Sequence, residues 1–153
     1  MKSKHIFSLA IFSMLIIAFV SCKKDDDSKN NENNTPNPTV KSDIKLNESL
    51  TYGSMTDQEG NSYRTIQIGN QTWMAENLRT TKYRNGEDIG TTEPLDKNIY
   101  YENTPKYQWA YNGDDTKIPS YGRLYTFYVV TDSRNLCPSG WHVPTLSEWD
   151  TLV

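Results

Sequence analysis

A chain of 153 residues has room for one domain, and its 10 Tyr, 4 Trp and 4 Phe are many for so polar a sequence. Its 16 basic and 19 acidic residues nearly balance, so it has no basic face of the kind that nucleic-acid binding requires. We therefore expect no nucleic-acid partner.

The first 21 residues have the three parts of a secretory signal peptide. Lys2 and Lys4 give a positive start, residues 6–20 are apolar apart from two serines, and Ser21 is a small residue before Cys22. A helix over the apolar stretch would reach about 22 Å, which is short of a bilayer core of about 30 Å. A cleaved signal is therefore favoured, and a membrane-spanning helix is the alternative.

Cys22 closes a motif, Phe19-Val20-Ser21-Cys22, that resembles the lipobox of bacterial lipoproteins, with Phe19 where leucine is usual. The charged residues 23–27 resemble the export signal of surface lipoproteins, and they also suit a solvated linker. The resemblance implies lipid attachment at Cys22, a lipid bilayer as partner, and an outer-membrane location at the cell surface. A periplasm-facing protein is the alternative.

A polar segment separates this motif from the rest of the chain. Residues 23–43 contain no aromatic residue and one aliphatic residue, Val40, which is too little apolar area to repay chain ordering. We predict a signal peptide over residues 1–21, a lipidated N-terminus and disordered linker over residues 22–45, and a folded domain over residues 46–153.

Within the predicted domain, short apolar runs alternate with turn residues, which is typical of strands. Ile66 and Ile68 alternate with polar residues and predict a half-buried strand over residues 62–68. Gly69-Asn70 predicts a hairpin turn before a returning strand over residues 71–74. Residues 57–61 form a turn without the spacing of a calcium loop, so a metal-free turn is favoured. Residues 124–130 suit a strand or a helix.

The end of the chain predicts the start of a helix. Thr145 and Glu148 form a capping box, and Trp149 and Leu152 begin an apolar face. No helix stop signal follows, so we expect the domain to be incomplete at its C-terminus. The predicted fold class is a small β-rich α+β domain with one or two helices.

A long irregular region, residues 79–122, carries scattered aromatic residues. Tyr107, Trp109, Tyr111 and Tyr121 are the candidate ligand surface, because irregular segments held on a scaffold often carry binding residues. In the alternative, these rings fasten the loop to the domain.

The sequence offers little for catalysis. After removal of the signal peptide, His142 is the one histidine, and Pro138 and Gly140 imply a turn between it and Cys137 without indicating a contact. A zinc site would need two further ligands. We predict no catalytic residue, no metal, no cofactor and no enzyme activity.

The second cysteine is left over once Cys22 receives lipid. An odd cysteine in an exported protein indicates a missing partner or a free buried thiol. We therefore expect no disulfide within the chain and no partner for Cys137.

Four stretches together resemble the Fibrobacter succinogenes major paralogous domain, a family of exported bacterial proteins often carried on lipoproteins. They are Asp57-Gln-Glu-Gly-Asn-Ser-Tyr63, Ile66-Gln-Ile-Gly-Asn-Gln-Thr-Trp-Met-Ala-Glu-Asn-Leu-Arg79, Tyr121-Gly-Arg-Leu-Tyr125, and Leu136-Cys-Pro-Ser-Gly-Trp-His-Val-Pro-Thr145 with Glu148 and Trp149. The resemblance covers about residues 55–153. It implies a helix within residues 124–130 and later family segments, one with a second cysteine, that have no counterpart in this sequence.

Residues 140–149 also resemble the segment that opens a helix in the C-type-lectin-like and formylglycine-generating-enzyme group, which implies a C-type-lectin-like fold by analogy only. The predicted function is a surface-exposed lipoprotein with a non-catalytic binding or adhesion domain for a glycan or protein ligand. An enzyme on a formylglycine-generating-type fold and a non-functional truncated gene product are the alternatives.

Overall fold

The computed structural model of the chain describes residues 18–26 and 43–152, so most of the predicted signal peptide and linker lies outside the described residues. The described strands are β1 Ala18–Phe19, β2 Lys23–Lys24, β3 Gly53–Thr56, β4 Ser62–Ile68, β5 Gln71–Met74, β6 Gln108–Ala110, β7 Arg123–Tyr125 and β8 Trp141–His142. The described α-helices are α1 Ile118–Tyr121, α2 Phe127–Val130 and α3 Leu146–Asp150, and two 3-10 turns, Tyr111–Gly113 and Asp115–Lys117, precede α1.

The strands form two antiparallel sheets. One has the order β1-β7-β6, and the other has the order β3-β4-β5-β2-β8. With three short helices beside these sheets, the domain is a small α+β fold, as the sequence predicts.

The hairpin of β4 and β5 forms where the sequence predicts it, with Ile68 opposite Gln71 across the Gly69-Asn70 turn. Its buried face differs from the expected one, because Tyr63 and Thr65 point into the core and Ile68 is exposed. The phenol of Tyr63 has polar partners in the core, so the large ring is buried without leaving its hydroxyl unsatisfied.

Residues 18–26 lie inside the fold, which corrects the expectation of a disordered linker from residue 22. β2 pairs with β5 on one side and with β8 on the other, and β1 pairs with β7. β2 therefore occupies a slot in the larger sheet, between β5 and β8, and β1 lies at an edge of the smaller sheet.

A buried polar network supports the loop after β5. The Glu76 carboxylate accepts from Arg64 Nε at 2.8 Å and from Arg79 Nη1 at 2.9 Å. The Tyr63 hydroxyl donates to Asp57 Oδ2 at 2.7 Å and accepts from the Arg79 backbone N–H at 2.9 Å. Charge-assisted bonds of this kind are strong when they are shielded from water, so the network fixes the path of residues 76–80.

The hydrophobic core takes residues from both sheets and from the loops that join the strands. Its buried members are Val20, Cys22, Tyr63, Met74, Leu78, Tyr83, Ile89, Tyr125, Val129, Leu136, Cys137 and Trp141. Two of these come from the N-terminal segment, so residues 18–26 contribute to the core as well as to the sheet.

The two open predictions on local structure are resolved. Residues 124–130 divide between β7 and α2, with Thr126 as the N-cap position of α2. The helix predicted after Thr145 is α3, in which the Thr145 backbone N–H donates to Glu148 Oε2 at 2.8 Å. Within residues 18–26 and 43–152, no helix has the length and apolar character to cross a membrane.

Candidate functional site

The predicted aromatic surface begins on β6, where side chains alternate between the two faces of the sheet. Gln108 and Ala110 are buried, and Tyr107 and Trp109 lie on the opposite face with ring centroids 5.8 Å apart. The strand therefore presents two neighbouring rings away from the core.

Those two rings are covered by the loop of residues 92–102. Trp109 Nε1 donates to Thr92 Oγ1 at 2.9 Å, and the Tyr107 hydroxyl donates to Glu102 Oε2 at 2.8 Å. The Lys97 ammonium also lies 5.7 Å from the centre of the Tyr107 ring. Tyr107 and Trp109 thus fasten the loop, which was the alternative reading of this region.

Tyr111 and Tyr121 form a separate, exposed pair. Their ring centroids lie 5.3 Å apart at an interplanar angle of 35°. Tyr111 is 42% exposed and Tyr121 is 46% exposed. Asn77 Nδ2 donates to the Tyr121 carbonyl at 3.0 Å and ties this pair to the buried network of residues 76–80. The structure therefore divides the four predicted residues into a structural pair and a surface pair.

A third aromatic pair, Tyr100 and Tyr101, was not among the predicted site residues. Their rings meet edge to face at 5.1 Å, and 75% and 86% of the two residues is exposed. The adjacent tyrosines in a turn-rich segment were the available signal, but two neighbours in sequence do not by themselves indicate a shared surface.

The expectation that Cys137 has no partner is wrong in this structure, since its sulfur is bonded to Cys22. The two residues are 115 positions apart, their Cα atoms are 6.0 Å apart, and both side chains are buried. The pairing follows from the position of β2, which comes directly after Cys22, in the slot beside β8. Lipid attachment at Cys22 stays a prediction, and it would require the same sulfur atom.

A cluster of charged groups surrounds this disulfide-bonded segment. The Lys23 side chain is 1% exposed, and its Nζ lies 2.9 Å from Asp26 Oδ1 and 3.0 Å from Glu148 Oε1. His142 lies between two carboxylates, with Nδ1 2.5 Å from Asp25 Oδ1 and Nε2 3.0 Å from Glu148 Oε1. The N-terminal segment is therefore joined to β8 and α3 by ion pairs as well as by backbone bonds.

The pKa values in the cluster follow from these contacts. Burial opposes ionisation of Glu148, but hydrogen bonds from the Thr145 backbone, Lys23 and His142 outweigh it and lower the pKa of Glu148 to about 2. Burial also opposes protonation of His142, yet hydrogen bonds to Asp25 and Glu148 raise the pKa of His142 above its ordinary value. The cluster therefore favours a charged imidazole held between two carboxylates.

This arrangement can hold a strand but supplies no free nucleophile. The Cys137 sulfur is used in the disulfide, so a thiol–imidazole pair with His142 is not available while that bond exists. In the described ranges no group of three or more His, Cys, Asp or Glu side chains is placed to hold a metal ion.

The comparisons with known proteins give one match. The model of the Fibrobacter succinogenes major domain matches residues 66–153 of the chain. No curated protein and no solved structure matches it.

Proposed function

The chain belongs to the Fibrobacter succinogenes major domain family, and on that premise we propose that it is an exported lipoprotein with a ligand-binding domain. In this proposal the outer membrane holds the chain by lipid on Cys22, at the cell surface. The folded domain binds a glycan or protein ligand and catalyses no reaction.

The observation that carries the binding role is the exposed pair of Tyr111 and Tyr121. Tyrosine offers a broad apolar face and a polar hydroxyl, and such residues supply much of the binding energy of protein surfaces. The rings already contact each other, and Asn77 fixes the backbone beneath Tyr121. A ligand would therefore meet a surface that needs little further ordering.

One feature supports export and anchoring together, and a second supports export alone. The positive start, apolar stretch and Phe19-Val20-Ser21-Cys22 motif have the order of a lipoprotein signal. The pairing of Cys22 with Cys137 in the unmodified chain also suits an oxidising compartment outside the cytoplasm.

The binding proposal is tested by screening the full chain on a glycan array and in pull-downs from bacterial cell-wall material. A ligand found in this way should bind the Tyr111→Ala/Tyr121→Ala variant at least about tenfold more weakly, because both ring faces are removed.

The matched control is Tyr100→Ala/Tyr101→Ala, which removes an equally aromatic pair from another exposed position. It should keep full affinity. Equal loss in both variants, or no ligand across broad panels, would contradict a binding surface at Tyr111 and Tyr121.

A further inference from the structure

The sequence contains two Asn-Gly pairs, Asn85-Gly86 and Asn112-Gly113, and all four residues are exposed. The side-chain carbonyl carbon of an asparagine can be attacked by the backbone nitrogen of the next residue. Glycine hinders that attack least, because it has no side chain beside the nitrogen. Sequence and exposure therefore do not distinguish the two pairs, and any difference between them comes from the fold.

The fold holds both reacting groups of the first pair. Asn85 Nδ2 donates to Glu87 Oε1 at 2.9 Å, and Asn85 Oδ1 accepts from the Glu87 backbone N–H at 3.1 Å. The Gly86 N–H donates to the Tyr83 carbonyl at 2.9 Å. Arg134 Nη1 fixes Glu87 in turn, at 2.6 Å from Oε2. These hydrogen bonds must break before the Gly86 nitrogen can reach the Asn85 side chain.

The side chain of Asn112 is not held in this way. Within residues 18–26 and 43–152 it makes no hydrogen bond. Its backbone lies in the left-handed region, with φ 54° and ψ 22°, and interrupts the short 3-10 turn Tyr111–Gly113. That conformation is unfavourable for a residue other than glycine. The Asn112 side chain can therefore turn towards the Gly113 nitrogen without losing a hydrogen bond, and its backbone leaves no favoured conformation.

We propose that Asn112 is a site of spontaneous deamidation and that the fold protects Asn85 from the same reaction. The Gly113 nitrogen bonds to Asn112 Cγ and gives its proton to solvent. The bond from Cγ to Nδ2 breaks, and the side-chain nitrogen takes up a proton and leaves as ammonia. Water then opens the resulting succinimide ring at either carbonyl and gives aspartate or isoaspartate at position 112. The reaction needs neither a bound ligand nor lipid on Cys22, so it is independent of the proposed function.

The modified position lies beside the exposed pair of Tyr111 and Tyr121. It directly follows Tyr111, and the segment after it leads through Asp114 into α1, which carries Tyr121. Either product adds a negative charge there, and isoaspartate also lengthens the main chain by a methylene group. Deamidation therefore changes the charge and the backbone path at the candidate ligand surface.

The test follows both asparagines in one sample of the full chain, kept folded in mildly alkaline buffer and mapped by mass spectrometry over time. Conversion replaces a side-chain amide by a carboxyl group, and methylation by an isoaspartyl methyltransferase identifies isoaspartate. We expect conversion at Asn112 to be at least about fivefold faster than at Asn85, which is the effect of one or two hydrogen bonds.

Two controls separate the fold from the local sequence. In guanidinium chloride the two rates should converge, because the hydrogen bonds that hold Asn85 are lost. Glu87→Ala should raise the rate at Asn85 in the folded chain and leave the rate at Asn112 unchanged. Glu48→Ala removes another exposed carboxylate, one without a hydrogen bond to either asparagine in the described residues, and should change neither rate.

Equal rates at Asn112 and Asn85 in the folded chain would overturn the proposal. A difference that persists undiminished in guanidinium chloride would overturn it as well, because the neighbouring residues and not the fold would then set the rates. An unchanged rate at Asn85 in the Glu87→Ala variant would contradict its protection by Glu87.

Discussion

Asp57 and Gly122 both lie in stretches that resemble the family. Asp57 is fixed by hydrogen bonds within a few residues, and Gly122 by a close approach to Asn77 and Leu78. The Asp57 carboxylate accepts hydrogen bonds from the backbone N–H groups of Glu59 and Asn61, from the Asn61 side chain and from the Tyr63 hydroxyl. Both oxygens of this carboxylate therefore have hydrogen-bond partners within residues 59–63. Gly122 has a positive φ of 70° directly beside Asn77 and Leu78. At the residue scale these motifs therefore specify the fold.

Gly122→Ala should destabilise the protein by about 2–4 kcal/mol, from the strained backbone and from overpacking together. A Cβ at this position would lie 2.6 Å from Asn77 Cβ and 2.7 Å from the Leu78 carbonyl oxygen. The free energy of unfolding in urea measures the effect.

Gly86→Ala is the matched control, because Gly86 also has a positive φ, 88°, but has no atom within 4 Å of an added Cβ. The free energy of unfolding should fall less in this variant, by about 1–2 kcal/mol, because the added Cβ strains the backbone but meets no other atom. Equal losses at the two positions would show that the close approach at Gly122 contributes nothing.

From the contacts of His142 we predict that the stability of the disulfide-bonded chain depends on pH. Its pKa is raised by Asp25 and Glu148 on folding, so its stabilising contribution is complete below the ordinary value of 6.5 and is lost as pH rises through the raised pKa. The urea midpoint should therefore fall as pH rises from the ordinary value of 6.5 through the raised pKa.

His142→Gln keeps hydrogen-bonding groups but cannot titrate, so this variant should lose the fall in the urea midpoint over that range. An unchanged pH dependence in the variant would contradict the proposed pairing of the imidazole with Asp25 and Glu148. Glu148, whose pKa is lowered to about 2, contributes at the acid end instead: its stabilisation is present above 4.5 and is lost as pH falls through about 2.

Lys23 marks the limit of sequence reasoning at this scale. A lysine in a polar run is expected in water, and its ion-pair partner Glu148 lies at the other end of the chain. Only the strand order β5-β2-β8 brings the two together. Glu148 itself was predictable as a capping residue, because that role depends on a local spacing.

Among the helices and strands, those with a local sequence signal could be predicted, and those that depend on pairing with distant residues could not. The β4–β5 hairpin and the start of α3 follow from a turn signal and a capping box within a few residues of each other. β2 could not be predicted, because Lys23-Lys24 has no strand pattern of its own and pairs with residues far along the chain. The buried face of β4 was misjudged because Tyr63 gains core partners for its hydroxyl.

The loop over residues 92–102 is held by the contacts of Tyr107 and by the indole hydrogen bond of Trp109, and the second can be removed by itself. Trp109→Phe deletes the donor to Thr92, and should reduce stability by about 1 kcal/mol and free the loop locally. Trypsin cleavage after Lys97 should become faster, as measured by the rate of fragment appearance under native conditions.

Tyr111→Phe is the control for that experiment, since Tyr111 is exposed and belongs to the other aromatic pair. It should leave cleavage after Lys97 at the wild-type rate. If Trp109→Phe also leaves the rate unchanged, Trp109 does not fasten the loop and returns to the candidate ligand surface.

For the whole molecule, the family could be recognised from the order of four motifs, and the α+β class from the mixture of strand patterns and a helix cap. The ligand could not be predicted, because an aromatic pair such as Tyr111 and Tyr121 takes part in many kinds of recognition. The disulfide could not be predicted either, since Cys22 already has a role in the lipobox-like motif and its partner lies 115 positions away.

Cys22 is both the proposed site of lipid attachment and the partner of Cys137, so the state of its sulfur decides whether the chain is anchored by lipid. The measurement is peptide mapping by mass spectrometry of the full-length gene product purified from bacterial membranes under non-reducing conditions. We expect an N-terminal peptide that begins at Cys22 and carries thioether-linked diacylglycerol, with Cys137 not joined to Cys22. A chain that retains residues 1–21 and has Cys22 joined to Cys137 would contradict the lipid anchor.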